Sequence, residues 1–211
     1  MRYRLGIETT TDDHWLAWVL DCPGCYSAGQ TRAAAISNAG GAIAAYHQWI
    51  ARHRGETPFD DPYMDIHVTE VFQTTAPAPG VETRAFFEED RLPLGESEVA
   101  SALEMLSFTL ADLLALGRAS KPPALLAQAA ADERGYLDRL GLALPEADLP
   151  AEPVVALEKI HACACAALTA RPLDQRVVTK DGELWSLRKL IRRILWLERD
   201  RAQQISRLAS R

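Results

Sequence analysis

A chain of 211 residues, 48% hydrophobic and 25% charged, has the apolar mass for a folded core and room for one large domain or two small ones. No apolar run approaches the ~20 residues that cross a bilayer, and Met1-Arg2-Tyr3-Arg4 leads straight into a strand-like segment, so a cytoplasmic protein with four reduced cysteines and no disulfide framework is expected. The net charge of −6 is uneven, with 14 acidic and 7 basic side chains in residues 1–96 against 15 and 16 in residues 97–211, so the first half lacks the basic face that nucleic acid requires.

In chain order, residues 3–8 and 14–20 read as strands, the second rich in residues that suit a pleated surface. Cys22-Pro23-Gly24-Cys25 is turn chemistry, because proline fixes φ and glycine tolerates a left-handed backbone. A third short strand at 26–28 precedes Thr31, a good N-cap for a helix over 32–54. Ile36, Ala39, Ile43, Tyr46, Trp49 and Ile50 give that helix one apolar stripe, while Gly40 and Gly41 suggest a close approach to the sheet. Residues 65–72 alternate polar and apolar, as a half-buried strand does. The pattern breaks over 75–96, where Ala76-Pro77-Ala78-Pro79-Gly80 and Glu88-Glu89-Asp90 mark a linker. Helices are expected at 98–116, 122–142, 152–170 and 184–209, which together make a bundle over 97–211. The fold class expected is α+β: a small β-β-β-α-β domain over 1–74 and an all-α four-helix bundle.

Trp15-Leu16-Ala17-Trp18-Val19-Leu20, then Pro23-Gly24-Cys25-Tyr26-Ser27-Ala28-Gly29-Gln30-Thr31 and an alanine-rich helix, resembles the HicB-like antitoxin fold over residues 1–74. The resemblance implies a domain that binds a partner protein, usually a small RNase toxin, and has no catalytic residue of its own. Where HicB antitoxins carry a C-terminal DNA-binding segment, this chain carries the helices. Residues 97–211 resemble the DinB-like bundle through the run Leu126 to Leu140 and through Asp181-Gly182-Glu183-Leu184-Trp185-Ser186 and Trp196-Leu197-Glu198-Arg199-Asp200-Arg201. In that family three histidines hold a divalent metal that some members use to activate a thiol. The aligned positions are Gln128, Leu197 and Arg201; leucine has no lone pair and arginine is a permanent cation, so the resemblance implies a bundle without the family's metal.

Read without the family, the last helix has an inward stripe at Leu187, Leu190, Ile194, Leu197, Arg201 and Ile205. Arg201 on that stripe needs a carboxylate or an outlet to water. Two readings stand: an ion pair with Glu133, or a side chain that reaches solvent. A ligand pocket at the lost metal site is expected from Gln128, Glu133, Leu197, Arg201, Trp185 and Tyr136. His161 is the one histidine in residues 97–211; it shares a helical face with Cys165 but not with Cys163, leaving two ligands where a structural zinc wants four, so no metal is expected. Cys22 and Cys25 read as a structural turn. Arg188, Lys189, Arg192, Arg193 and Arg199 read as a solvated helix face. Trp15 and Trp18, three apart on a strand, face opposite sides.

The expected function is a non-catalytic binding protein with no cofactor, with a homodimer and a protein partner on the first domain as its associations, and no nucleic acid or membrane. The alternatives are a metal-independent thiol transferase or isomerase and a HicB-type regulator.

Overall fold

The computed structural model describes residues 1–9, 14–58, 63–73, 83–120, 123–171 and 173–209. The chain divides into two units, Met1–Glu89 and Asp90–Arg211. It is mixed α+β, a four-stranded sheet with one helix followed by a helical unit. The segment Ala76 to Gly80, Pro122 and Pro172 lie outside the described residues.

In the first unit, β1 (Arg2–Thr9) pairs antiparallel with β2 (Trp15–Val19) and parallel with β4 (Asp65–Phe72), and β3 (Tyr26–Gly29) extends the sheet beyond β2, giving the order β3-β2-β1-β4. A parallel β1–β4 pair needs a long crossover, and α1 (Arg32–Arg54) supplies it. Thr31 caps α1 by accepting from the Ala34 amide at 3.1 Å, and Gly55 closes it in a left-handed conformation at φ 67°. Ala35, Ala39, Ile43, Tyr46 and Trp49 are buried along α1, while Ile36 and Ile50 are half-buried flanks. The mid-helix glycines have no packing role: a Cβ at Gly40 would meet only Ile66, at an ordinary 3.9 Å, and one at Gly41 would meet nothing. The tight position is Gly6, where the Phe87 ring lies 2.5 Å from the site of a Cβ. Phe87 and Ala85, which belong to the 75–96 stretch read as a linker, are each 1% exposed. Glu8 holds that segment: its carboxylate accepts from the Trp18 Nε1–H at 2.9 Å, from the Ala85 amide at 2.7 Å and from the Arg84 amide. Trp18 is fully buried and Trp15 half-buried.

In the second unit, α2 (Glu96–Ser120), α3 (Pro123–Arg139), α4 (Pro153–Ala170) and α5 (Leu187–Ala209) pack as a closed ring, with α5 against α2 and α3, and α4 against α3 and α2. Leu106, Leu113, Leu137, Leu157, Ile160, Ile194 and Ile205 fill the core, each 1% exposed or less; burying such a side chain stabilises by about 1.5–3 kcal/mol. By length and composition α2 and α4 do reach the measure of a membrane-crossing helix, with mean hydropathies of 1.6 and 1.3. In this structure their apolar faces line the bundle core.

Two expectations change here. The last helix starts at Leu187 rather than 184, because β5 (Val178–Lys180) and β6 (Glu183–Trp185) form a hairpin closed by Asp181 and Gly182 at φ 52° and 74°. Asp-Gly is the dipeptide that such a two-residue turn prefers. The basic stretch is not a solvated face. Lys189, Arg192 and Arg193 are at most 7% exposed. Lys189 pairs with Glu183 at 2.7 Å, Arg192 with Asp90 at 2.6 Å, and Arg193 donates to the Tyr136 hydroxyl at 2.9 Å.

Candidate functional site

The core of the helical unit carries one polar cluster to which all four helices contribute. Glu133 on α3, His161 on α4 and Glu198 on α5 place one ligand atom each within 4.8 Å of one another. Glu133 and Glu198 are fully buried and His161 is 5% exposed. His161 Nδ1 lies 2.9 Å from Glu198 Oε1, and the Thr109 hydroxyl, on α2, donates to Glu198 Oε2. Neither buried oxygen of Glu133 is met by an N–H or O–H donor from the rest of the fold, and its hydrogen-bonding neighbour is the Glu198 carboxylate, with which it can share a proton. A buried polar atom left that way costs about 1–3 kcal/mol, and two on one carboxylate beside a second carboxylate is a rare arrangement in a folded core.

The helical register builds this cluster. On α4, Leu157, Ile160, Ala164 and Leu168 form the buried stripe, and His161 sits one residue beside Ile160, turned inward. On α5 the buried positions Ile191, Ile194, Glu198, Ala202 and Ile205 follow spacings of three and four, so Glu198 lies on the core face. On α3 Glu133 follows Leu126, Ala129 and Ala130 onto the same face.

The electrostatics follow from burial. The Glu133 carboxyl is held well above the usual carboxylate range, first by its burial and then by the Glu198 charge. Burial alone lowers His161, but contacts with Cys165 and Glu198 and the two carboxylate charges outweigh it and push the imidazole up to about 11. Without a cation both shifts favour the protonated forms of Glu133 and His161.

The expected pocket residues take other places. Glu133 is not the partner of Arg201, which instead meets Asp132 at 3.1 Å and Gln204 at 3.0 Å with its side chain 19% exposed. Asp132 also accepts from the Gln128 amide at 2.8 Å, so Gln128 and Arg201 come together on Asp132 near the surface. Leu197 is 1% exposed, in the apolar core. Trp185 lies on β6 and stacks with Tyr136 at 5.4 Å; the Arg193 guanidinium lies 4.8 Å from the Tyr136 ring and 5.0 Å from that of Trp196. Cys22 and Cys25 are buried in a tight turn, the Cys25 amide donating to the Cys22 carbonyl at 2.8 Å.

Sequence reasoning missed Glu198 and Thr109 and left His161 short of ligands. The count on α4 alone, two ligands on one face, was sound; the further donors come from α3 and α5. A second reading of the α5 stripe through Ile191, Ile194 and Glu198 was open and would have found one of them. No protein-family model, no curated protein and no solved structure matches the chain.

Proposed function

We propose that the protein is a non-catalytic binding protein whose helical unit holds a divalent cation on Glu133, His161 and Glu198. The observation that carries this reading is the Glu133 carboxylate, fully buried and without a donor, facing a second carboxylate and an imidazole from two other helices. Two ionised carboxylates and a neutral imidazole bring a charge of −2, which a divalent ion cancels, and carboxylate oxygen and imidazole nitrogen are both ordinary ligands for such ions. On entry the cation displaces the protons of His161 and Glu133. Near-complete burial of all three groups fits a closed structural site better than a catalytic one, which keeps a position open to substrate. That favours binding over the thiol transferase or isomerase reading.

The DinB-like resemblance enters as an expectation about the bundle, with the ligands moved: Glu198 is next to the aligned Leu197, and Glu133 lies one turn and a residue beyond Gln128. For the first unit the HicB-like resemblance supports binding of a protein partner or a second copy. The exposed Val68 and Val71 on the edge strand β4 are consistent with that role. A cytoplasmic setting, where the four free cysteines stay reduced, belongs to the same reading.

The test is metal analysis by mass spectrometry of the untagged full chain, as purified and after zinc is added back and the excess removed. About one equivalent is expected in the wild type and background in Glu133→Gln and Glu198→Gln. Less than about a tenth of an equivalent in the reconstituted wild type would overturn the proposal, leaving a proton-sharing polar core.

A further inference from the structure

β4 has β1 on one side and, among the described residues, no strand on the other, so its outer N–H and C=O groups form an edge that a further strand can pair with. We propose that this edge is a homodimer interface: β4 of a second copy adds antiparallel across a two-fold axis between Val68 and Thr69, and two four-stranded sheets become one of eight strands. This rests on the binding reading of the first unit, names its partner, and stands apart from the cation reading.

The register follows from a bulge. β1 and β4 stay in step from Arg2 and Asp65 to Leu5 and Val68, Thr69 is then extra, and pairing resumes at Gly6 and Glu70. Residues in register share a face of the sheet. Ile66 lies on the α1 side, where a Cβ on Gly40 would meet it at 3.9 Å, and Val68 and Val71, opposite Leu5 and Ile7, lie on that side too. His67 and Glu70, opposite Arg4 and Gly6, lie on the other face, where the Phe87 ring meets Gly6. In a regular strand His67 and Glu70, three apart, would face opposite sides; the extra Thr69 brings them to one. The two-fold axis then sets Ile66 against Val71 on one face and His67 against Glu70 on the other, and each contact occurs twice.

Charge selects this register over its neighbours. Shifted one residue either way, Glu70 falls opposite Ile66 or Val68, and a parallel in-register pairing sets Glu70 against Glu70 and Asp65 against Asp65. His67 Nε2 meets Asp65 at 2.5 Å and Glu70 Oε2 accepts from the Glu88 amide at 2.9 Å. His67 Nδ1 and Glu70 Oε1 are thereby left to meet across the axis. Val68 and Val71, 36% and 44% exposed, are the apolar surface that the second copy covers.

The experiment is the mass of the full chain in solution, by light scattering after gel filtration, over about a hundredfold range of concentration, in chelator and with zinc. A dimer is expected under both conditions. Val71→Lys, which sets a charge against Ile66, and His67→Glu, which opposes two carboxylates, should each weaken it at least about tenfold, as should Glu70→Lys. The double variant His67→Glu/Glu70→Lys exchanges the pair and should restore the dimer, a recovery that damage to the fold would not give. A monomer at every concentration would overturn the proposal. So would a dimer indifferent to Val71→Lys and to both single charge variants, a double variant no better than its parents, or a dimer that forms only with zinc. The metal content of the same samples reads the cation site separately, so the loss of one reading is told from the loss of the other.

Discussion

Glu8 in the first unit and Glu133 in the second are equally buried, each with none of its surface exposed, and their surroundings are opposite. Glu8 collects three N–H donors, from the Trp18 indole and the Arg84 and Ala85 amides. Glu133 collects none and faces the Glu198 carboxylate and the His161 ring. The same side chain at the same depth is thus a clasp in one unit and an incomplete ligand in the other. A carboxylate satisfied by donors stabilises the fold as it stands. One without donors must take a proton or a cation, and that need is what makes Glu133 a functional candidate.

The largest effect expected is at the clasp. Glu8→Leu strands two buried donors and the half-buried Arg84 amide at once, and with about 1–3 kcal/mol for each buried donor left without its partner the first unit should lose roughly 2–6 kcal/mol by denaturant unfolding. A loss under about 1 kcal/mol would break the comparison, since it would mean that the donors are satisfied without Glu8.

Next comes the buried cation that has its partner. Lys189 is fully buried, 2.7 Å from Glu183 and 2.9 Å from the Leu184 carbonyl, and its ammonium is lowered to about 8 by burial, with Glu183 opposing the fall. Between pH 8 and the ordinary lysine value near 10.5 the unfolded chain holds a proton that the folded chain has released. Stability therefore rises with pH across that window, and below pH 8 the burial penalty is present in full. The difference in unfolding free energy between wild type and Lys189→Met should move in favour of wild type by up to about 3 kcal/mol from pH 8 to 10.5 and stay flat just below it. A flat difference throughout would show that Glu183 compensates the burial completely.

Gly6 sharpens the clasp from its other side. A Cβ there would press on the Phe87 ring at 2.5–2.8 Å, so Gly6→Ala should cost about 1–3 kcal/mol by displacing the segment that Glu8 holds. Its effect should be less than additive with that of Glu8→Leu, because both act on the same segment.

The first unit was legible because its signals are local: alternation in β4, the Thr31 cap of α1 and the Pro-Gly turn all act over a few residues. The helices were legible by period, with ends off by a few residues. What was not legible depended on partners far apart in sequence. Lys189 with its neighbouring arginines looks like a solvated face until Glu183 and Asp90 are placed beside it. Glu8 is only the end of a strand in the sequence, and its role shows when residues 84 and 85 return to it from 76 and 77 positions away. His161, Glu133 and Glu198 lie on three helices, and no spacing rule within one helix joins them. The Asp181-Gly182 hairpin was the local signal passed over.

The smallest expected effect is the most telling. In chelator, burial and the Glu198 charge favour the protonated form of Glu133, and Glu133→Gln replaces that neutral acid with a neutral amide of nearly the same shape. Its metal-free stability should match wild type to within about 1 kcal/mol. With zinc at a hundred times its dissociation constant, wild type should gain about 2.7 kcal/mol by binding to the folded state alone, and the variant should gain nothing. Thermal unfolding with and without zinc reads both quantities. A variant that is several kcal/mol weaker in chelator would give Glu133 a structural partner of its own and make it a clasp like Glu8. A variant equal to wild type under both conditions would take the cation away from Glu133. Only equality in chelator joined to divergence in zinc marks a carboxylate placed for a ligand rather than for the fold.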